Sequence, residues 1–508
     1  MKPRLLYILF ILFISKSFYA QESINAKLID STSKNPIPYA TIAFNKTSGV
    51  ISNENGDFLI YLNRKIKTSD SLFISCLGYD TKRIGLENFK DSIIVLSNKS
   101  IELKEVLVSN ENYSIEEIIE KVKENLSNNY DFEFTMNKLF YRESYTTDIL
   151  KSAIKIKEST IPEFNQKFFD SLISIVPKKS DNYTEILGVL YKKPMVQNSQ
   201  KLDIIKASTL YDKNNEVTFT GLEEKFSKIF KKHIKRDSYF KIKSGIFGTK
   251  ENIDSSFFDD KKQKEEVEQT KALIEEQKKR ETQRKKNFLK HRKHTITNLE
   301  KSSFMFEDSH LNFLEKYRRY DFKLLDYIFL NDNFVYKITF TPKRKEDYKG
   351  TIYVNTDDFA IIRIDYENVK SLKTFRLLGI SMDENLKKGT YIYAKNSTEK
   401  YALKYAEMES GSKFGVKRPL RIIEKNKHTK GRRKQNEISS DLHFIVSNIT
   451  KKELVVFENE PIAESQFNSF SEKANVTPTY LPKYDPDFWK GYNVIEPNQA
   501  IKDFKSIE

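Results

Sequence analysis

A chain of 508 residues is too long for one ordinary domain and sets an expectation of two or three. Aromatic residues make up 13% of it, which excludes wholesale disorder because each Phe or Tyr brings a large apolar area to bury. The formal net charge of +16 leaves two readings open, a polyanionic or anionic-lipid partner and a Lys-rich solvated surface, since 87 basic residues stand against 71 acidic ones.

The first twenty residues read as a secretory signal peptide. Lys2 and Arg4 form a positive start, residues 5–14 are continuously apolar, and Ala20 precedes Gln21 at the expected cleavage point, with Phe18 standing where a small residue is preferred. The apolar run is too short to span a hydrocarbon core of about 30 Å. No cysteine follows it, which sets aside a lipid-anchored lipoprotein, and no later apolar run approaches the ~20 residues of a membrane helix. The mature chain is expected to be exported, periplasmic, and soluble or in peripheral contact with the outer membrane. The single cysteine, Cys76, excludes an intrachain disulfide and any zinc site built on two thiolates, and it reads as a small core hydrophobe.

Residues 21–99 carry short apolar runs with period-two alternation: 24–29, 39–44, 49–52, 57–62, 71–76 and 92–96. Asn55-Gly56 can supply the positive φ of a tight turn, so the runs on either side of it are expected to pair as a hairpin. About seven short strands in some 80 residues form the pattern of a β-sandwich. Pro36-Ile37-Pro38-Tyr39-Ala40, Asn55-Gly56-Asp57-Phe58 and Leu77-Gly78-Tyr79 resemble the carboxypeptidase regulatory-like domain, a transthyretin-like sandwich of bacterial envelope proteins. Ala26 departs from the glycine usual on the first strand of that family. The resemblance implies a non-catalytic accessory module and brings no peptidase residues with it.

Residues 100–113 read as a linker. Leu103-Lys104-Glu105-Val106-Leu107-Val108 resembles the segment that follows this module in TonB-dependent receptors, but the remaining ~400 residues cannot supply both a plug and a barrel of about 22 strands. Residues 114–464 read as a β-rich α+β domain. Ser114 and Glu117 form a capping box for a helix of about four turns that places Ile115, Ile118, Ile119, Val122 and Leu126 on one side. A second capping box, Thr220 to Glu223, opens a Lys-rich helix with Leu222, Phe226, Ile229, Phe230 and Ile234 in a stripe. That stripe suits a sheet-facing core or an anionic membrane surface.

Residues 259–294 are almost entirely Lys, Arg, Glu, Gln and Asp, and predict a long exposed helix or a disordered insertion whose basic half, 278–294, could meet polyanions. Beyond it a β-meander is expected, with strands near 322–329, 335–341, 350–355, 360–366, 390–394, 400–408 and 413–423, and a turn at Ser410-Gly411-Ser412. A sheet of that length is expected to curl over a helix. The segments 336–343, 348–355 and 487–493 are similar to an uncharacterised envelope-protein family carrying the same amino-terminal module, and the meander resembles the half-barrel of lipoprotein carriers, which implies an acyl chain held in a concave sheet. The tail 465–508 contains four prolines and the only tryptophan, Trp489, and reads as packed on the body.

No catalytic motif emerges. The six histidines, His233, His291, His294, His310, His428 and His443, form no His-Glu-x-x-His pattern, and no nucleophile elbow, phosphate loop or dinucleotide fingerprint occurs. No catalytic, cofactor or metal residue is singled out. The fold class is mainly β with helices, a sandwich followed by a curved antiparallel sheet with a charged helical insertion. The expected function is non-enzymatic binding of a lipid or an envelope protein, without nucleic acid; the oligomeric state is open. The alternative is an accessory or scaffold part of an outer-membrane complex or of a secreted hydrolase system, in which His233, His310 and His443 would be the residues to substitute.

Overall fold

The computed structural model describes residues 22–45, 48–62, 64–87, 89–99, 113–193, 200–212, 225–226, 228–235, 237–252, 287–306, 309–330, 333–428, 430–431, 433–473 and 476–506. The signal segment, most of the linker, the capping box at 220–223 and the insertion up to residue 286 lie outside the described residues. The chain divides into two compact units. Unit 1 contains the amino-terminal residues together with Tyr327–Val335 and Asp485–Lys502, and unit 2 contains the rest.

Unit 1 is a two-sheet sandwich of seven strands: β1 (Ser23–Asp30), β2 (Thr41–Phe44), β3 (Ser48–Ile51), β4 (Asp57–Tyr61), β5 (Ser71–Ser75), β6 (Lys82–Gly85) and β7 (Ile93–Leu96). One sheet has the order β4-β1-β7 and the other β3-β2-β5-β6. Alternation along β1 turns Ile24, Ala26 and Leu28 inward, and these, like Ile42, Phe58 and Leu72, are buried. Ala26, the departure from the family glycine, is thus a core residue.

The hairpin expected across Asn55-Gly56 does not form. β3 pairs with β2 and β4 pairs with β1, so the turn carries the chain from one sheet to the other. Gly56 does take a positive φ of 77°. The turn is held by the Asn53 side chain, whose Oδ1 accepts from the backbone N–H groups of Asn55 and Asp57, both at 2.9 Å. Those bonds fix a corner rather than a flat two-stranded ribbon. Within the same unit, Asn493 Oδ1 accepts from Tyr61 N at 2.7 Å, Asn53 Nδ2 donates to Glu496 O at 3.2 Å, and Gly78 N donates to Phe329 O at 2.8 Å. The prolines' segment around Trp489 is therefore part of the sandwich unit, and Trp489 itself is buried.

The remaining strands are β8 (Thr135–Ser159), β9 (Lys179–Lys192), β10 (Gln200–Leu210), β11 (Ser238–Ser244), β12 (Phe247–Asn252), β13 (Tyr320–Leu330), β14 (Asn333–Pro342), β15 (Tyr348–Asn355), β16 (Ile361–Asn368), β17 (Lys373–Leu377), β18 (Ile380–Lys395), β19 (Tyr401–Asn426), β20 (Lys434–Pro461) and β21 (Thr479–Leu481). The main sheet runs β13-β14-β15-β16-β18-β19-β20-β8-β9-β10-β21, with β11 and β12 added beside β19 and β17 beside β18. Strands of 25, 26 and 28 residues at its centre reach roughly 85 Å at ~3.3 Å per residue, several times the usual length. Register shifts at Ser439/Ser440, Ile445/Val446 and Val456/Glu458 are bulges that bend and twist them.

Several expected elements change here. The strands expected at 400–408 and 413–423 are one strand, β19, and Ser410-Gly411-Ser412 is not a turn. Gly411 instead lies against the bulge in β18, where a Cβ would come within 3.0 Å of the Leu386 Cβ, so small residues there serve close packing. The strand expected at 390–394 starts ten residues earlier.

The expected first helix keeps its capping box, with Ser114 and Glu117 each satisfying the other's backbone, and it buries Ile118, Ile119 and Val122. It stops at Glu124, and Leu126 opens a separate short helix, Leu126–Asn129. Of the charged stretch expected to be an exposed helix or a disordered insertion, residues 287–294 are helical but only half exposed: they belong to a helix described over 287–301, in which Leu289, Ile296 and Leu299 are buried.

Candidate ligand-binding face

The face of the large sheet that carries Tyr391 and Tyr393, here the inner face, is closed in the body of unit 2. The Tyr391 hydroxyl donates to Leu299 O at 2.8 Å, and Tyr393 shares a 2.5 Å hydrogen bond with Ser303. Phe304 meets Tyr130 and Tyr393 edge to face at 5.8 Å, and Phe313 stacks on Phe340 at 4.5 Å. Burial pushes the Tyr130 and Tyr391 hydroxyls well above the ordinary tyrosine range. Between this helix and the sheet lies a cavity of about 40 Å³ beside the Lys192–Glu300 ion pair at 2.6 Å. That is room for about one water, not for a lipid chain.

The same face opens farther along the long strands. Two rows of apolar side chains cross it in register: Ile149, Val446, Phe414, Met382 and Phe375, then Phe444, Val416, Ile380 and Leu377. The parity is that of Glu143 and Lys452 nearer the body, where Glu143 holds Arg292 of the covering helix, so the rows continue the inner face. Yet Phe375 is 50% exposed, Leu377 55%, Met382 42% and Phe414 46%. Farther on, the face is covered again. Phe226, Ile229, Phe230 and Ile234 join Ile161, Phe164, Phe240 and Ile438 in a small core. The stripe read as either core or membrane-facing is core. The apolar rows thus form an open floor between two covered regions, among the described residues.

Cations gather at the body end of this floor. Lys387 projects from β18 on the inner face, with Nζ 3.4 Å from His310 Nδ1, and Lys452 projects from β20. Lys373 pairs with Glu384 at 3.6 Å. Burial lowers the Lys387 pKa, Lys452 and Lys373 lower it further, and Glu384 opposes them. Burial holds His310 at about 3, so its ring is neutral at physiological pH.

The outer face carries a polar line that sequence reading missed. Asp365, Thr390, Glu407, Glu453, Arg142 and Glu185 follow one another in cross-strand register. Arg142 and Glu185, each 2% exposed, are joined by Nε–Oε1 at 2.8 Å and Nη2–Oε1 at 2.7 Å; Lys451 lies 3.2 Å from Glu407 and 3.6 Å from Glu453. Arg363 clasps Asp365 at 2.9 and 3.1 Å. A depression of about 480 Å³ over this line is lined by Lys349 and Glu367, paired at 2.9 Å, and by Lys388, which holds Glu409 at 3.0 Å. Charges so matched tie strands together. The signal for the line was available only as isolated charges in apolar runs, since the register that aligns them spans over 200 residues of chain.

The histidines do not converge. His233 pairs with Glu163 at 2.7 Å near the small core, His310 lies among Tyr348 and Tyr366 on the inner face, and His443 sits opposite Lys417 on the outer face. Hydrogen bonding to His233 and Lys232 holds the Glu163 carboxyl at about 2. No group of three or more His, Cys, Asp or Glu side chains able to hold a metal occurs among the described residues.

A seven-stranded sandwich followed along the chain by a large, mostly antiparallel sheet with helices defines a modular β protein. Residues 24–108 match the family model described as CarboxypepD_reg-like domain, so the sandwich is a domain of that kind. No curated protein matches the chain. Among solved structures, the chain is similar to a putative outer membrane lipoprotein-sorting protein domain from Vibrio parahaemolyticus, at 10% identity over 70% of this chain and 97% of that one, with a TM-score of 0.21. It is also similar to a LolA superfamily protein from Nitrosomonas europaea (8% identity, 70% and 98% covered, TM-score 0.16) and to the MucA/MucB complex of Pseudomonas aeruginosa (5%, 65% and 92%, TM-score 0.14).

Proposed function

We propose that this is an exported, non-enzymatic binding protein of the cell envelope that holds an acyl chain on the open floor of its inner sheet face. One observation carries the reading: large apolar side chains in register remain about half exposed on a face that is otherwise covered on both sides along the strands. A contiguous apolar surface of this kind is kept for a ligand or partner, because leaving it in water costs about 25 cal/mol per Å². The charged and apolar amino-terminal segment supports export.

The test is uptake of a long-chain probe by the purified mature protein. Wild type binds a pyrene-labelled acyl chain saturably, and the double substitution Phe414→Asp with Met382→Asp weakens this at least about tenfold. Both side chains are exposed, so the melting curve stays in place. Absence of saturable binding, or binding untouched by the double substitution, overturns the proposal.

A further inference from the structure

We propose that the floor takes a single-chain lipid whose head is a phosphate, seated against Lys387, Lys452 and Lys373. This rests on the acyl-chain reading above and adds the chemistry of the head. Lys387 belongs to the cross-strand row of Ser410, and Lys452 to the neighbouring row of Met408, so the two project from β18 and β20 on either side of β19. Lys373 lies two residues before Phe375, on the side of β17 that also carries the floor residues.

The local charge is lopsided. Glu384 faces Lys373, and Glu143 is taken by Arg292 of the covering helix. His310 accepts from Lys387 but stays neutral, so it brings no negative charge. Lys387 is half-buried, and the two neighbouring lysines add to the cost of its charge. An anion placed among the three would relieve that cost directly.

Distance and chemistry then set the ligand. From the Ser410 row to the Phe414 row is four residues of β19, about 13 Å, crossed by the polar row of Thr147, Ser412 and Asn448. The head therefore lies at one end of the floor and the chain runs outward along the apolar rows. Ammonium groups arranged as separate point charges, with the neighbouring Arg292 fork already engaged by Glu143, suit a phosphate with a charge of about −1.5 to −2 and three acceptor oxygens. A carboxylate would satisfy them less fully.

The experiment compares lysophosphatidate, the fatty acid and the monoacylglycerol of one chain length on the full mature protein. Wild type binds lysophosphatidate at least about tenfold more tightly than monoacylglycerol, the double substitution Lys387→Gln with Lys452→Gln removes that preference, and monoacylglycerol binding does not change. Lys373→Glu, at an exposed site, reduces the preference without any question of folding. Equal binding of lysophosphatidate and monoacylglycerol by wild type, or a preference that persists in both variants, overturns the head assignment while leaving the acyl-chain reading intact. Fatty acid binding as tightly as lysophosphatidate overturns the choice of phosphate. Failure of all three to bind removes both proposals.

Discussion

Replacing Arg142 by methionine tests whether the polar line on the outer face is a staple. The guanidinium makes bonds of 2.8 and 2.7 Å to Glu185 Oε1 and stands 3.9 Å from Glu453 Oε2, and all three side chains are buried. Methionine fills much of the volume but removes both guanidinium bonds from Glu185 Oε1. Breaking one side of a buried ion pair costs about 3–5 kcal/mol, because the remaining charge loses both water and partner. For a unit this large, ~2 °C of melting temperature per kcal/mol translates that into a drop of roughly 6–10 °C. The double substitution Arg142→Met with Glu185→Met should recover most of it, since Glu453 keeps Lys451 at 3.6 Å and the Glu185 charge is removed together with its partner. Scanning calorimetry of the mature protein, following the transition that unit 2 contributes, reads both variants. A single variant melting within about 2 °C of wild type, or a double variant no better than the single, would refute the staple.

Three further outcomes follow from local geometry. Gly350→Ala places a methyl 2.2 Å from Asp365 O and 2.7 Å from the Phe340 ring, so a loss of about 1–3 kcal/mol is expected in urea unfolding; a neutral result would mean that β15 and β16 separate easily. Ser114→Ala removes one half of a capping box and should lower stability by about 1 kcal/mol, with Ser114→Asp restoring it. Asp30 in unit 1 accepts from Ser33 N, Ser33 Oγ and Thr32 N, and the Ser33 backbone bond foremost holds its carboxyl at about 2 instead of 3.8. Its stabilising contribution is present in full above pH ~3.8 and is lost as pH falls through 2. Melting curves of wild type and Asp30→Asn between pH 2 and 5 should therefore converge at the acid end, and parallel curves would disprove the assignment.

The residues of unit 1 announce their own structure. Period-two alternation in β1, the positive φ of Gly56 and the family segments at 36–40, 55–58 and 77–79 are local properties, and all are legible without contacts. Pairing was not. Asn55-Gly56 fits a hairpin and a sheet-to-sheet corner equally well, and only the side chain of Asn53 and the demands of the opposite sheet select the corner.

In unit 2 the sequence supplied the β class, the capped helix at Ile115–Glu124 and the idea of a helix beneath a sheet. It could not show that Ser410-Gly411-Ser412 runs straight, because that depends on the bulge of the neighbouring strand. Nor could it show which apolar residues are left open. Phe414 and Met382 have the same alternation as Tyr391 and Tyr393, but Tyr391 and Tyr393 are covered by Leu299, Ser303 and Phe304. Burial in a sheet is settled by what lies across from a face, often hundreds of residues away, and so the candidate floor and its lysines belong to tertiary structure alone.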